Sequence, residues 1–389
     1  RCPSSVTSNV FLGSSFITVN YEILSLAYNA PSIGIDFRFV EGYRCTRIGN
    51  IFPVPGSSYV TTTTRLYITY NSTSVGSIGL IDLSYFRGSS VEWRVGYQYA
   101  SDQTVSNLSI KSIGGVIAYS WGSMRFNSTF ARTKITKAPP FYRYGSGNVL
   151  IRESEISPAT IDGMFQGCDQ MTEIDTVLAL QSVTTTPDYG TTYNNRYCFE
   201  GCRKLSKVAG VKITVYNGAS YKPLSLVNMF SLCDSLTYNP LVLAYAPSNG
   251  DSSTMHAIYL DKLFYMSGIE NYLGAIRCAY NTYWNPVSLE SLATTTTSMF
   301  EGAYKLTNVS MCFGNESSFY VTKTKVDNMF KYCAALKDTA KLYASLNSVI
   351  SPSATSSDTQ GAFTTAGAFA PDYSANQSQI PSSWGGTGA

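Results

Sequence analysis

A two-residue apolar step, followed at fixed distances by a small and then a large apolar position, recurs down this chain and limits what it can fold into. Met164-Phe165-x-x-Cys168-x-x-Met171 returns as Cys198-Phe199-x-x-Cys202-x-x-Leu205 and as Met229-Phe230-x-x-Cys233-x-x-Leu236. Met299-Phe300-x-x-Ala303-x-x-Leu306 and Met329-Phe330-x-x-Cys333-x-x-Leu336 follow. Leu263-Phe264 opens a degenerate copy, with Ser267 in the small slot and Ile269 one residue early; Phe130, with Thr133 and Ile135, reads as an eroded first copy of that shortened form. The marker phenylalanines at 130, 165, 199, 230, 264, 300 and 330 are separated by 35, 34, 31, 34, 36 and 30 residues. A period in this range means stacked supersecondary units, about six to seven of them, and such stacks serve binding or building more often than chemistry.

Within a unit, apolar positions 0, 1, 4 and 7 share one face of a short helix, which makes Met, Phe, Cys and Leu a single buried stripe. Asp162, Asp261, Thr297 and Asp327 stand two residues before the Met/Leu-Phe step, where their oxygens would cap the first helical turn. After the stripe the period changes to two, as in Val208 to Val215 and Val309 to Phe313, so residues 126–345 read as an α/β solenoid of helical turn, bend and strand. Residues 346–389, rich in Ser, Ala, Thr and Gly, read as a C-terminal cap or tail. A longer helix is expected over 334–346, with Leu336, Ala340, Leu342 and Tyr343 toward the stack. Residues 1–125 carry short alternating runs such as Ile33-Gly-Ile35-Asp-Phe37-Arg-Phe39, Leu66-Tyr-Ile68-Thr-Tyr70 and Val91-Glu-Trp93-Arg-Val95. With turn residues between them they predict an antiparallel, jelly-roll-like β-sandwich that docks or positions the stack. The expected whole is mainly β with short helices.

Charged residues are 14% of the chain, against roughly 25% in an average soluble protein, so Ser, Thr, Asn, Gln and the 29 tyrosines must supply the polar surface. A net charge of +3 and the lack of any Lys/Arg run argue against nucleic acid as partner. No apolar stretch approaches the ~20 residues of a membrane span, so membrane insertion is not expected. A first residue of Arg1 rather than Met suggests a processed or trimmed product. Nine cysteines leave at least one unpaired in the monomer. Cys168, Cys202, Cys233 and Cys333 share a slot that also accepts Ser267 and Ala303, which favours packing of a small side chain. Zinc is the sharper alternative, but no C-x2-C pair exists and His256 is the only histidine, so no metal and no cofactor is expected. Cys2 with Cys45, and Cys278 with Cys312, are open as disulfide pairs.

His256 lies in a polar stretch with no nucleophile elbow near it, and P-loop, dinucleotide and EF-hand patterns are absent from the sequence. Glu153 with Glu155, or Asp169 with Glu173, could be nominated as a glycosidase pair, but each reads more simply as exposed charge. No catalytic residues are assigned. The binding candidates are aromatics in the variable segments between repeats: Tyr189, Tyr193, Tyr245, Tyr283 and Trp284. Stacking brings equivalent segments to one face, where rings suit sugar or protein surfaces; filling gaps against the stack is the equal alternative.

Met164-Phe165-Gln-Gly-Cys168, Cys198-Phe199-Glu-Gly-Cys202-Arg-Lys-Leu205, Met229-Phe230-Ser-Leu-Cys233 and their later copies resemble the leucine-rich-repeat-like modules of BspA-like bacterial surface proteins. Similar repeats occur in fibre and tail proteins of phages of gut bacteria, and Ile135-Thr-Lys-Ala-Pro139 and Ile380-Pro-Ser-Ser-Trp384 look like elements of the same group. The resemblance covers about half of the chain and implies a leucine-rich-repeat-like solenoid exposed outside a cell, on a bacterial surface or on a virion. It further implies adhesion or host recognition, with a host-surface glycan or protein as partner. In that setting the N-x-S/T sites at Asn71, Asn107, Asn127, Asn308, Asn315 and Asn376 are polar surface rather than glycan acceptors. The alternative expectation is a self-assembling structural subunit of a fibre or virion decoration, with copies of itself or virion and filament proteins as partners. A glycan depolymerase is the third.

Overall fold

The computed structural model describes residues 6–12, 21–23, 32–39, 47–53, 65–70, 75–84, 86–87, 91–95, 109–181, 193–216, 224–246, 258–273, 293–310 and 323–389. These residues are mainly β, with three short α-helices and a parallel β-solenoid of about five turns. The chain divides into two compact units, residues 1–178 with 207–209, and residues 179–206 with 210–389.

In the first unit the alternating runs do form strands, but they pair in parallel rather than as the antiparallel sandwich their alternation suggested. One sheet runs Val6–Leu12, Ser32–Phe39, Arg65–Tyr70, Val91–Val95 and Met124–Arg125, all neighbours parallel. The other runs Tyr21–Ile23, Ile51–Pro53, Ser77–Asp82, Ser112–Ile117, Phe141–Tyr144 and Leu150–Arg152, with Arg47–Ile48 also on Ser77–Asp82. Its last pair, Phe141–Tyr144 with Leu150–Arg152, is antiparallel. Paired residues such as Ser32 and Arg65, Arg65 and Glu92, Tyr21 and Ile51, and Ser77 and Ser112 lie 33, 27, 30 and 35 residues apart. These intervals are close to those between the marker phenylalanines, so each strand sits on its counterpart one layer away. Alternation reports that one face of a strand is buried and says nothing of its neighbour's direction, which is why it could not tell the two pairings apart.

The Met-Phe-x-x-Cys segments are not helices. In the Phe300 copy, Met299 N–H donates to Thr296 C=O at 3.1 Å, Glu301 to Ser298 at 3.1 Å, Ala303 to Phe300 at 2.9 Å and Leu306 to Ala303 at 3.0 Å. These are successive four-residue β-turns, interrupted by left-handed residues two before and two after the marker: Ser298 (φ 53°) and Gly302 (φ 73°). The same pair recurs as Asn228 and Leu232, Lys262 and Met266, and Asn328 and Tyr332, so an α-helix, which needs every φ negative, cannot propagate. The alternate amides bond the next layer instead. Phe230 donates to Leu263 at 2.9 Å, Phe264 to Met299 at 2.8 Å, Phe300 to Met329 at 2.9 Å and Phe330 to Ala362 at 2.8 Å. Half of the turn's amides thus close the turn and half join the layers, which leaves few backbone groups unmet and makes the solenoid β rather than α/β.

The expected caps act between layers too. Asp261 accepts from Thr297 N–H at 2.8 Å and from Thr295 Oγ1 at 2.7 Å, and Asp327 accepts from Thr297 Oγ1 at 2.7 Å, each bond reaching the adjacent layer rather than the residue's own first turn.

The repeat core is as the spacing predicts. Met164, Phe165, Cys168, Phe199, Cys202, Leu205, Met229, Phe230, Cys233, Leu236, Phe264, Met299, Phe300, Leu306, Met329, Phe330, Cys333 and Leu336 are all fully buried. In the first unit Phe130 stacks on Phe165 with ring centroids 5.3 Å apart. In the second unit Phe199, Phe230, Phe264, Phe300 and Phe330 form a continuous pile at 5.3, 5.5, 5.9 and 5.5 Å, with rings within 10° of parallel. Layer spacing near that of neighbouring strands, about 4.8 Å, forces identical rings into offset stacking.

Past Leu346 the repeat continues in a form without its motif. Phe363 lies 5.3 Å from Phe330 and donates its N–H to Trp384 C=O at 2.8 Å, while Trp384 and Tyr343 close over it. Tyr343 belongs to a helix, Thr339–Asn347, shorter than the expected span of 334–346. Gly367 N–H and Phe369 N–H bond Cys333 and Ala334 carbonyls, so residues 334–338 remain part of the turn ladder and the helix begins after it.

Candidate functional site

The cysteine slot shared by the repeats holds its thiols on backbone carbonyls of the neighbouring layer. Cys168 donates its thiol to Phe130 C=O at 3.0 Å, Cys233 to Phe199 C=O at 3.1 Å and Cys333 to Phe300 C=O at 2.9 Å. Each cysteine therefore ties its own layer to the marker of the preceding one. Burial pushes the Cys168 thiol up to about 12, and the Cys233 and Cys333 thiols further, so all three stay protonated and unreactive at neutral pH. In the slot of the degenerate copy, the buried Ser267 hydroxyl has no hydrogen-bond partner. A C–O bond is shorter than a C–S bond, and there the oxygen stops short of the carbonyl. Among the described residues no three His, Cys, Asp or Glu side chains gather to hold an ion. Cys2, Cys45, Cys278, Cys312 and His256 lie outside the described residues.

Of the aromatic candidates, Tyr189, Tyr283 and Trp284 also lie outside the described residues. Tyr193 and Tyr245, expected in variable loops, have their backbones in strands. Tyr193 opens Tyr193–Asn194 and pairs with Leu224; Tyr245 lies in Leu241–Ala246 and pairs with Val215. The continuous apolar run Leu241-Val-Leu-Ala-Tyr245 carries the strand up to the Ser/Thr-rich stretch that begins after Pro247.

The site that sequence reasoning missed is a cleft of about 400 Å³ in the first unit, lined by Lys111, Thr136, Lys137, Arg152, Glu173 and Asp175. Three successive layers build it. Thr136 N–H donates to Lys111 C=O at 3.3 Å, Thr172 N–H to Thr136 C=O at 2.8 Å, and Lys137 and Glu173 face each other in a parallel bridge. Lys137 Nζ reaches Glu173 at 2.5 Å and Lys207 Nζ reaches it at 3.8 Å, while Arg152 pairs with Asp175. The hydrogen bond from Lys137 holds the Glu173 carboxyl below its ordinary value and raises the lysine's own. That favours the ionised form of Glu173, the opposite of what a general acid requires. Two of the other nominated acids have cations as well. Asp169 pairs with Lys134 at 2.9 Å and Glu153 with Arg143 at 2.7 Å. A signal for these pairs was present: opposite charges one repeat apart, as at 134 and 169, 137 and 173, or 203 and 234.

The cleft is thus lined by ammonium, guanidinium and carboxylate groups, of which Lys137 with Glu173 and Arg152 with Asp175 are paired with one another. No family model matches the chain, and no curated protein or solved structure matches it significantly.

Proposed function

We propose that this chain is a non-enzymatic recognition protein, exposed outside a cell or on a virion, that presents variable segments and a charged cleft to a host-surface glycan or protein. The observation that carries the reading is how the second unit divides its residues. Its interior is filled by stacked rings and protonated thiols. Around residues 217–223 and 247–257, by contrast, the described strands form two separate ladders, Val211–Tyr216 beside Leu241–Ala246 before these segments and Leu224–Ser225 beside Ile258–Tyr259 after them. Repeat proteins use the connections between such ladders as binding surfaces, and in this sequence those connections differ in length, seven residues at 217–223 and eleven at 247–257. The resemblance to bacterial surface repeats supports the extracellular or virion setting. The ion pairing of Glu173 supports leaving depolymerase chemistry aside.

The test is attachment of the intact chain to cells and to immobilised surface glycans. Replacing Tyr283→Ala and Trp284→Ala together should weaken attachment at least about tenfold, as expected for loss of aromatic anchors, while Tm stays within about 1 °C. Undiminished attachment by this double variant removes the segments from the reading.

A further inference from the structure

The charged cleft of the first unit holds one more cation than its ion pairs use. Two of its three cations are matched within it, Lys137 at 2.5 Å from Glu173 and Arg152 on Asp175. Glu173 is further shared with Lys207 at 3.8 Å. Lys111, the third, is exposed and meets no carboxylate among the described residues. Its backbone is nonetheless fixed: Lys111 N–H donates to Gly76 C=O at 2.7 Å, and Lys111 C=O accepts from Thr136 N–H at 3.3 Å. Ser112 and Thr136 also line the cleft, and their hydroxyls bond no other described residue. An ammonium and two hydroxyls are thus left as donors on layers held in register. Beside them stand carboxylates with lone pairs still able to accept.

We propose that the cleft binds a saccharide unit bearing a single anionic group, a carboxylate or a sulfate ester, with that group on Lys111 and the sugar hydroxyls among Ser112, Thr136 and the carboxylates of Glu173 and Asp175. Charge balance selects this class of ligand. Three lining cations against two carboxylates call for a monoanion. A neutral sugar leaves the Lys111 ammonium unmatched, and a run of acidic residues in a peptide meets Glu173 and Asp175 with like charge. Size and lining agree. At about 400 Å³ the cleft lies near the lower end of the range of ligand pockets, roughly 300–1,000 Å³, and its apolar lining is confined to Ile113, Ala138 and Pro140. A peptide anchor fills a deep, desolvated pocket, whereas a sugar needs only an apolar strip for its C–H face and polar groups around its rim. An exposed lysine makes each contact weak, and firm attachment then comes from repetition of the unit along a polysaccharide. This inference rests on the recognition reading and gives its charged cleft a ligand class.

The test is ligand-observed NMR titration of the whole chain with methyl β-glucuronide, a sulfated methyl glucoside, methyl β-glucoside, inorganic phosphate and tetraglutamate. At least one of the two acidic sugars should bind at least about tenfold more tightly than the neutral glucoside, phosphate or the peptide, and the one that does names the anionic group. Lys111→Gln should weaken that binding at least about fivefold, and Lys111→Arg should keep it within about twofold. Asp175→Asn removes a competing charge and releases Arg152, so it should tighten binding about threefold, a gain that a misfolded variant would not give. No binding by either acidic sugar, equal binding by the neutral glucoside, phosphate or tetraglutamate, indifference to Lys111→Gln, or no gain from Asp175→Asn would overturn the proposal. Its failure is distinct from that of the recognition reading: attachment to cells without acidic-sugar binding refutes the ligand class alone, and acidic-sugar binding without attachment to cells refutes recognition alone.

Discussion

The parallel sheets of residues 6–125 and the turn ladder of the second unit join their layers by different means. In the sheets, regularly paired strands such as Ser32–Phe39 and Arg65–Tyr70 hold successive layers along most of their length, and what the side chains must supply is one buried face. In the turn ladder only every second amide reaches the next layer, so side chains complete the seam: a stacked ring, a thiol on a carbonyl, a carboxylate on a hydroxyl. A seam that depends on particular side chains is more easily damaged by single substitutions than one carried by backbone. The largest expected effect therefore lies in the ring pile. Phe300→Ala removes a fully buried ring stacked on both sides and touched edge-on by Tyr272, and should cost about 3–5 kcal/mol in denaturant unfolding of the second unit. Ile81→Ala, fully buried on a regularly paired strand of the sheets, should cost less; an equal or larger loss there would end the distinction.

Next in size is the thiol link, where opposite substitutions sharpen the same contrast. Cys333→Ala loses the bond to Phe300 C=O and leaves a small void, a loss of about 1–2 kcal/mol. Ala303 occupies the equivalent slot one layer earlier without a thiol, so Ala303→Cys should recover up to about 1 kcal/mol by reaching the Phe264 carbonyl. Chemical denaturation of the two variants should move midpoints in opposite directions. If both destabilise alike, the slot is a matter of volume and the hydrogen bond adds nothing.

This difference also explains what could be read in the residues beforehand. The turn ladder announces itself because a ring must meet a ring and the Cys slot admits only small groups, so Phe165, Phe199, Phe230, Phe300 and Phe330 recur with fixed neighbours. Positions 0, 1, 4 and 7 fit a helix and a chain of turns equally well, since both place them on one face. What separates the two is the left-handed backbone at Leu232, Met266 and Tyr332, residue types that give no warning of it. Phe363 was passed over because Ala362 and Ala366 replace Met and Cys, although its ring takes the same place in the pile. In the sheets the interval of 27–35 residues is equally real but leaves no motif, because any alternating run satisfies it. The cleft was half visible in Glu173: Asp169 is paired with Lys134, and it is Asp175 that shares the cleft with Glu173.

The smallest expected effect separates carboxylates that join layers from carboxylates that face water. Asp261 bonds Thr295 and Thr297 of the adjacent layer, and burial, reinforced by the charge of Asp327, raises its carboxyl above the ordinary 3.8. Asp358 sits in the exposed box with Thr355 at the start of Ser356–Thr359, and those hydrogen bonds lower its carboxyl below the same value. The signs of their contributions are opposite. A raised folded-state value means that Asp261 stabilises fully below 3.8 and that this stabilisation is lost as pH rises through the folded value; a lowered one means that Asp358 stabilises above 3.8 and loses that contribution as pH falls. Asp261→Asn keeps an acceptor for the Thr297 amide without the charge, so its stability relative to the unsubstituted chain should improve as pH rises from 3.8, by less than about 1 kcal/mol. Asp358→Asn should lose ground over the rising limb beginning below 3.8. Thermal melts of both variants across that range decide it: parallel curves would mean that the layer-joining carboxylate is solvated like the exposed one, and that the seam at Asp261 is held by its hydrogen bonds with no burial to oppose them.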